Sequence, residues 1–358
     1  MSDVRAVREG EEIDLSALNA FLAANSAGTG RIERVEQFGG GFSNLTYLLH
    51  QAHGSIVLRR PPFGVPKGTA HDVIREWRIL TVLHERGVSV PRPLAACEDD
   101  HVLGAPFYLM ERVDGVILRE PLREVPAADV MRRLDDALLD TLVSIHRVDA
   151  ADAAIAALGR RDGYVERQVS GWTKRWHASR TDDVPAMDEV ALWLGAHQPA
   201  QAGAVLVHND FKFDNLVLDR GDAGRVRAVL DWEMATLGDP LLDVGTTLGY
   251  WVEASDPSAF RALGLGVTAL AGNYTRAELW ERYLEKAGRA PADPLFYYVF
   301  GVFKIAGIAQ QIYARFRAGH TSDERFARLG DVVRLLGATA RSAIERNSLA
   351  PTKGGSSR

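Results

Sequence analysis

Short runs of apolar residues dominate residues 32–113, and from residue 127 onward apolar positions recur at helical spacing. The runs 32–38, 44–49 and 55–60 are separated by Gly-rich or His/Gln/Gly turns, which predicts three strands. Pro61-Pro62 ends the third, because proline cannot donate to a strand ladder. Val73, Trp77, Leu80 and His84 then recur at helical spacing, so a helix is predicted over 72–86, stopped by Gly87. Strands over 94–98 and 106–113 follow, joined by a turn at Asp99-Asp100. Ahead of all this stands one short helix, 15–24, and a loose segment, 25–30.

In the second half, Leu134, Leu138, Leu142 and Ile145 share one face of a predicted helix over 130–146. Further helices are predicted over 164–178, 187–196, 241–252, 276–287, 295–318 and 323–346. One β interruption breaks the series: a strand over 205–207, a polar segment beginning at His208, then strands 216–218 and 226–230 around a turn at 219–224. No internal repeat is visible, and the Gly/Ser/Lys/Arg-rich tail 352–358 is expected to be disordered. The expected fold class is α+β: a lead-in (1–30), a small β-rich N-lobe (31–112), a larger helical C-lobe (113–348) and a tail (349–358). A ligand cleft is expected between the lobes.

Bulk properties narrow the function. The 358 residues carry a net charge of −5, which argues against nucleic acid as the main partner. The lone cysteine, Cys97, lies in an apolar stretch and excludes an internal disulfide. The N-terminus lacks a signal-peptide apolar run, and no uninterrupted apolar stretch reaches the ~18 residues of a membrane helix. The expectation is a soluble, cytoplasmic protein without a membrane partner. Asn44-Leu45-Thr46 and Asn273-Tyr274-Thr275 match the glycosylation pattern, which has little meaning without secretion.

The polar segment after residue 207 carries the chemistry. His208, Asp210, Lys212 and Asn215 lie between two apolar strands, so a loop pinned at both ends can hold a carboxylate and an amide oxygen in fixed positions. Asp231 ends the next strand. Asn215 and Asp231 are oxygen donors of the kind Mg²⁺ favours, since that ion keeps several waters and needs few protein ligands. Phosphoryl transfer asks for such an arrangement: metal-neutralised phosphates, a positioned acceptor oxygen and little covalent chemistry from the protein.

His-x-Asp-x-Lys-x-x-Asn followed by Asp231 resembles the catalytic loop and metal-binding Asp of the protein-kinase-like superfamily. Asn209, where protein kinases have Arg, and Asp231-Trp232-Glu233, where they have Asp-Phe-Gly, are closer to the aminoglycoside phosphotransferase family; there too the second loop position is more often Gly. The resemblance implies a two-lobed fold and an enzyme using ATP and Mg²⁺. In it Asp210 is the catalytic base, Lys212 contacts the transferring phosphate, and Asn215 and Asp231 hold the metal. Gly39, Gly40, Gly41, Ser43 and Asn44 would form the phosphate-binding loop. Arg59, standing where the superfamily usually has Lys, would pair with Glu76 and reach the phosphates, with Arg60 as second choice. Met110, Glu111 and Val113 resemble the interlobe hinge that binds adenine.

Gly40-Gly41-x-Ser43-Asn44-x-Thr46-Tyr47, Val57 to Pro62, Ile145-His146-x-Val148-Asp149, Gly238-Asp239-Pro240-Leu241-x-Asp243 and the helix from Phe303 to Arg315 are similar to one branch of the family. That branch is the kinase domain found alone in bacteria or fused to acyl-CoA dehydrogenases in animals. It implies a hydroxyacyl-CoA or hydroxy acid as acceptor. The rival acceptors are an aminoglycoside or a choline-like amino alcohol, and the rival class is a nucleotide-binding pseudokinase with a regulatory role. Basic residues for a CoA ester would come from Lys304, Arg315 and Arg317, although a solvated helical face explains them as well. His208, Asp243, His146 and His320 are expected to be structural, and Trp172, Trp176 and Trp193 to be core aromatics. Acceptor identity, ATP or GTP, and oligomeric state stay open.

Overall fold

In this computed structural model the N-terminal strands form one antiparallel sheet beside two longer helices. Residues 4–25, 30–39, 44–62, 72–119, 122, 124–263, 266–321 and 323–351 are described. Two compact units result: Met1–Gly115 with Arg227–Met234, and Val116–Val226 with Ala235–Arg358. In chain order the first contains β1 (Val4–Arg5), α1 (Leu15–Asn25), β2 (Ile32–Phe38), β3 (Leu45–Gln51), β4 (Gly54–Arg60), α2 (Val73–Glu85), β5 (Pro93–Cys97), α3 (Asp100–Leu103) and β6 (Phe107–Glu111). The sheet order is β1-β2-β3-β4-β6-β5.

Strand alternation sorts the side chains. Tyr47, Leu49, Ile56, Leu58, Phe107 and Leu109 belong to one face, which packs with Leu18 and Leu22 of α1. Arg59 therefore falls on the opposite face, paired in register with Tyr108, while Arg60 falls on the α1 side. There Arg60 is buried and donates to the Leu103 carbonyl (2.9 Å). The α2 helix begins at Asp72, whose carboxylate accepts the Arg75 N–H at 2.9 Å.

The second unit contains α4 (Ala128–His146), α5 (Ala153–Ala156), α6 (Tyr164–Ser179), α7 (Pro185–Ala196), β7 (Val205–Val207) and β8 (Leu216–Leu218). After β9 (Val226–Val229) and a 3-10 turn at Trp232–Met234 come β10 (Thr236–Gly238), α8 (Pro240–Tyr250), α9 (Ser258–Arg261), α10 (Arg276–Ala287), α11 (Leu295–Arg317) and α12 (Leu329–Arg346). β7 and β10 pair antiparallel, Leu206 opposite Leu237. Asp239 caps α8 by accepting the Leu241 N–H (2.8 Å), with Pro240 in the first turn. α11 is long and apolar enough to cross a membrane, but 78% of its apolar window is buried within the protein, as in a core helix.

Three expectations change. The helix predicted over 323–346 opens as a 3-10 turn, Glu324–Arg328, with Asp323 accepting the Arg325 N–H, and becomes α-helical only at Leu329. The turn predicted at Asp99-Asp100 is instead the cap of α3, where Asp99 accepts the His101 N–H at 2.9 Å and Gly104 closes the helix at φ +78°. The strand predicted over 106–113 stops at Glu111, whose N–H donates to the Arg92 carbonyl at 2.9 Å. The tail expected to be disordered, 352–358, lies outside the described residues.

α8 and α11 touch backbone to backbone. A Cβ at Gly301 would overlap the Gly245 carbonyl, so only glycine permits this approach. Gly301→Ala should overpack the junction and destabilise the protein by about 1–3 kcal/mol. Thermal denaturation should show this as a fall in Tm of several degrees.

Candidate active site

In the second unit the chain leaves β7 and passes through a sharply folded loop. Asn209 sits in the left-handed region, φ +68°. Among non-glycine residues Asn tolerates that region best, so this residue type suits the bend. The conformation is over-determined by neighbours. The Asp243 carboxylate accepts the His208 N–H at 2.8 Å and the Asn209 N–H at 2.6 Å. The Asn209 side-chain oxygen accepts from Tyr164 Oη (2.9 Å) and from Lys304 Nζ (3.2 Å), and the Asn209 carbonyl accepts from the same ammonium at 2.6 Å.

Asp243 is fully buried, and His146 Nε2 lies 3.1 Å from its Oδ2, the oxygen that also accepts the His208 N–H, with Tyr283 Oη 2.7 Å from the other ring nitrogen. Burial pushes the Asp243 carboxyl up. The hydrogen bond and charge of His146 and the His208 N–H more than offset this and hold it below the ordinary carboxylate range. His208, also buried, accepts the Asp210 N–H on Nδ1 at 3.2 Å. His208, His146 and Asp243 thus organise the loop, and Trp172 and Trp176 are buried core residues.

What this frame presents is Asp210. Lys212 Nζ donates to both of its carboxylate oxygens, at 2.9 and 2.8 Å. Asn215 Nδ2 donates to the Asp210 carbonyl (2.8 Å) and to Oδ2 (2.9 Å), which turns the Asn215 amide oxygen away from Asp210. The Lys212 ammonium also lies 4.2 Å from the centre of the Tyr250 ring. Burial works against that ammonium, but Tyr250 and Asp210 outweigh it and raise its pKa. Beside it opens a recess lined by Lys212, Phe213, Asp214, Tyr250, Trp251 and Val267.

The first unit holds a second polar cluster, built around Arg59. Its Nε lies 3.0 Å from Glu76 Oε2, and its Nη2 lies 2.6 Å from Asp231 Oδ1 and 3.3 Å from Glu233 Oε2. Glu76, on α2, is buried and also accepts the Trp232 N–H at 3.2 Å. Burial pushes the Glu76 carboxyl up; Arg59 opposes this, and the charges of Asp231 and Glu233 add to it. Asp231 itself has φ +67°, a strained conformation for a non-glycine residue. Asn44 Nδ2 donates to Glu233 Oε2 (3.2 Å), and Arg75 Nη1 donates to the Glu233 carbonyl (3.1 Å). Met110 and Glu111 lie on β6, Val113 just beyond it, and Gly39 just beyond β2. Gly40, Gly41 and Ser43 lie outside the described residues.

The structure adds participants that the sequence pattern does not mark, among them Glu233 as a partner of Arg59, Tyr164 and Lys304 as partners of Asn209, and Tyr250 beside Lys212. One signal was available for Lys304, a single charge within the apolar run of α11. The idea of a basic face formed by Lys304, Arg315 and Arg317 fails. Lys304 is 1% exposed and committed to Asn209, whereas Arg315 and Arg317 are exposed near the helix end.

Asp243→Asn should weaken the loop frame, since an amide cannot accept both N–H groups and His146 with the same charge. A loss of about 3 kcal/mol is expected. The folded-state pKa of Asp243 is depressed, so its contribution is fully present above the unfolded value near 3.9 and is lost as pH falls further. Chemical denaturation of both proteins at neutral pH and near pH 3 should show the gap narrowing at the acidic end.

A family model described as the phosphotransferase enzyme family, APH, matches residues 34–280. Acyl-CoA dehydrogenase family member 10 of Mus musculus is 37% identical over 326 residues, which cover 89% of this chain and 30% of the mouse protein, so the chain spans under a third of that relative. The crystal structure of a candidate aminoglycoside phosphotransferase from Ralstonia eutropha superposes with a TM-score of 0.78 and 31% identity, covering 94% of this chain and 99% of the other. Spectinomycin phosphotransferase, solved with ADP and spectinomycin, shares the fold at a TM-score of 0.59 and 13% identity, covering 91% of this chain and 98% of the other. With a matched segment of this length and a loop of this geometry, the chain belongs to the phosphotransferase enzyme family and has its protein-kinase-like fold.

Proposed function

We propose that the protein transfers the γ-phosphoryl group of ATP, with Mg²⁺, to a hydroxyl group of a small molecule. The observation that carries this reading is Asp210, held by a buried frame with Lys212 and Asn215 on its carboxylate. Asp210 accepts the acceptor's hydroxyl proton as that oxygen bonds to the γ-phosphorus. The bond from phosphorus to the β–γ bridging oxygen breaks, and its electron pair leaves with ADP. Lys212 offsets charge on the transferring group. Arg59, fixed by Glu76, reaches the nucleotide phosphates together with the Gly39–Asn44 segment, and Met110, Glu111 and Val113 flank the base.

Asn215 and Asp231 are assigned to the metal. An amide oxygen and a carboxylate are hard donors that suit Mg²⁺, which leaves room for water and phosphate oxygens. When bound, the ion would neutralise phosphate charge.

For the acceptor, the recess beside Lys212 is informative. Its lining combines an ammonium with Phe213, Tyr250, Trp251, Val267 and the hydroxyls of Thr247 and Thr268, and among the described residues Asp214 is its one carboxylate. A polycationic aminoglycoside or a choline-like amino alcohol calls for several carboxylates there; a hydroxyacyl-CoA or a free hydroxy acid does not. The name of the mouse relative, an acyl-CoA dehydrogenase family member, supports the same class. A regulatory pseudokinase draws support from Arg59 standing in place of Lys, since a planar fork and a point charge bind phosphate differently.

An ATP-consumption screen over hydroxyacyl-CoAs, free hydroxy acids, amino alcohols and aminoglycosides tests the reading. Turnover should appear with the first or second class, and Asp210→Asn should lower kcat by about 10²–10⁴-fold. Turnover that survives in Asp210→Asn would rule out the assigned base, and turnover confined to aminoglycosides would rule out the acceptor class.

A further inference from the structure

Lys304 is a cation in an unusual place. It sits mid-way along the apolar helix α11, 1% exposed, with Trp172 nearby (Nζ 5.9 Å from the ring centre). No carboxylate lies within ion-pairing distance of it among the described pairs; its close partners are two oxygens of Asn209, at 2.6 and 3.2 Å. Burying an ammonium against neutral oxygens is expensive. Burial accordingly pulls the Lys304 pKa down to about 8, with Asp243 and Asp210 opposing the shift and Lys212 and Arg175 adding to it. A residue held at such a cost for stability alone would be outcompeted by an apolar side chain of the same length.

The bonded oxygen explains the arrangement. The Asn209 carbonyl belongs to the peptide whose N–H is that of Asp210. Lys304 holds one side of this peptide plane, and the His208 ring, accepting the Asp210 N–H, holds the other. Asn209 meanwhile remains in its left-handed conformation, φ +68°. We propose that Lys304 is a positioning residue: from α11 it clamps the peptide before Asp210 and so fixes the aim of the Asp210 carboxylate. The proposal rests on the phosphotransferase reading only for its kinetic consequence.

The test compares wild type, Lys304→Met and Lys304→Gln by hydrogen–deuterium exchange, thermal melting and steady-state kinetics with ATP. Lys304→Met keeps length and apolar bulk, so its Tm should stay closer to wild type than that of Gly301→Ala. Exchange over residues 208–213 should nevertheless rise at least tenfold. With an acceptor found by the screen above, kcat should fall about 10–100-fold while KM for ATP holds, the signature of a displaced reacting group. Lys304→Gln, which retains an N–H donor on a shorter arm, should fall between the two. Unchanged exchange over 208–213 in Lys304→Met would overturn the clamp, and so would a drop in Tm matching the rise in exchange. If Lys304→Met does not fold, wild-type exchange in Lys304→Gln overturns it equally. Should wild type transfer no phosphate to any acceptor, the phosphotransferase reading fails, while exchange still decides the clamp.

Discussion

The second unit's chemistry depends on one buried carboxylate. Asp243 receives two successive backbone N–H groups, those of His208 and Asn209, and a histidine ring at its back. Two N–H groups can converge on one carboxylate only where the chain bends sharply, and Asn209 supplies that bend. Once it is fixed, the residues that follow have little freedom: Asp210 projects, Lys212 and Asn215 close on its carboxylate, and Phe211 is buried behind them. The cap on α8 made by Asp239 places Asp243 one turn into that helix, so a helix start sets the position of the carboxylate and the carboxylate sets the loop.

In the first unit a guanidinium has the comparable role. Arg59 gathers Glu76, Asp231 and Glu233, three carboxylates that would repel one another without it. A lysine ammonium is a single point of charge, whereas the planar fork of Arg presents separate nitrogens to Glu76 and to Asp231. The strained φ of Asp231 is held by this contact and by the Trp232 N–H bond to Glu76. The Arg at this position is therefore a structural fit to its own surroundings as well as a candidate phosphate ligand.

Much of the molecule was legible because its signals are local. Strand alternation placed Arg59 and Arg60 on opposite faces, and apolar spacing marked the helices. The loop from His208 to Asn215 is eight consecutive residues between apolar strands. Contacts made across long stretches of chain left no such trace: Tyr164 and Lys304 reach Asn209 from 45 and 95 residues away. Where local chemistry was misread, geometry was the missing element. Asp323 and Asp99 are both capping residues, but one starts a 3-10 turn and the other a short helix where a simple turn was expected. Nor does the strand pairing of Thr236–Gly238 with β7 follow from pattern, because three residues carry no period.

The central claim is that a loop held in this way moves a phosphoryl group onto an oxygen of a small molecule. Phosphorus NMR of the protein with ATP, Mg²⁺ and a hydroxyacyl-CoA follows donor and product together. The account predicts a new phosphate-ester resonance that grows one for one with ADP, with inorganic phosphate staying at background. ADP accompanied only by inorganic phosphate, or bound nucleotide that is never turned over with any acceptor class, would contradict it.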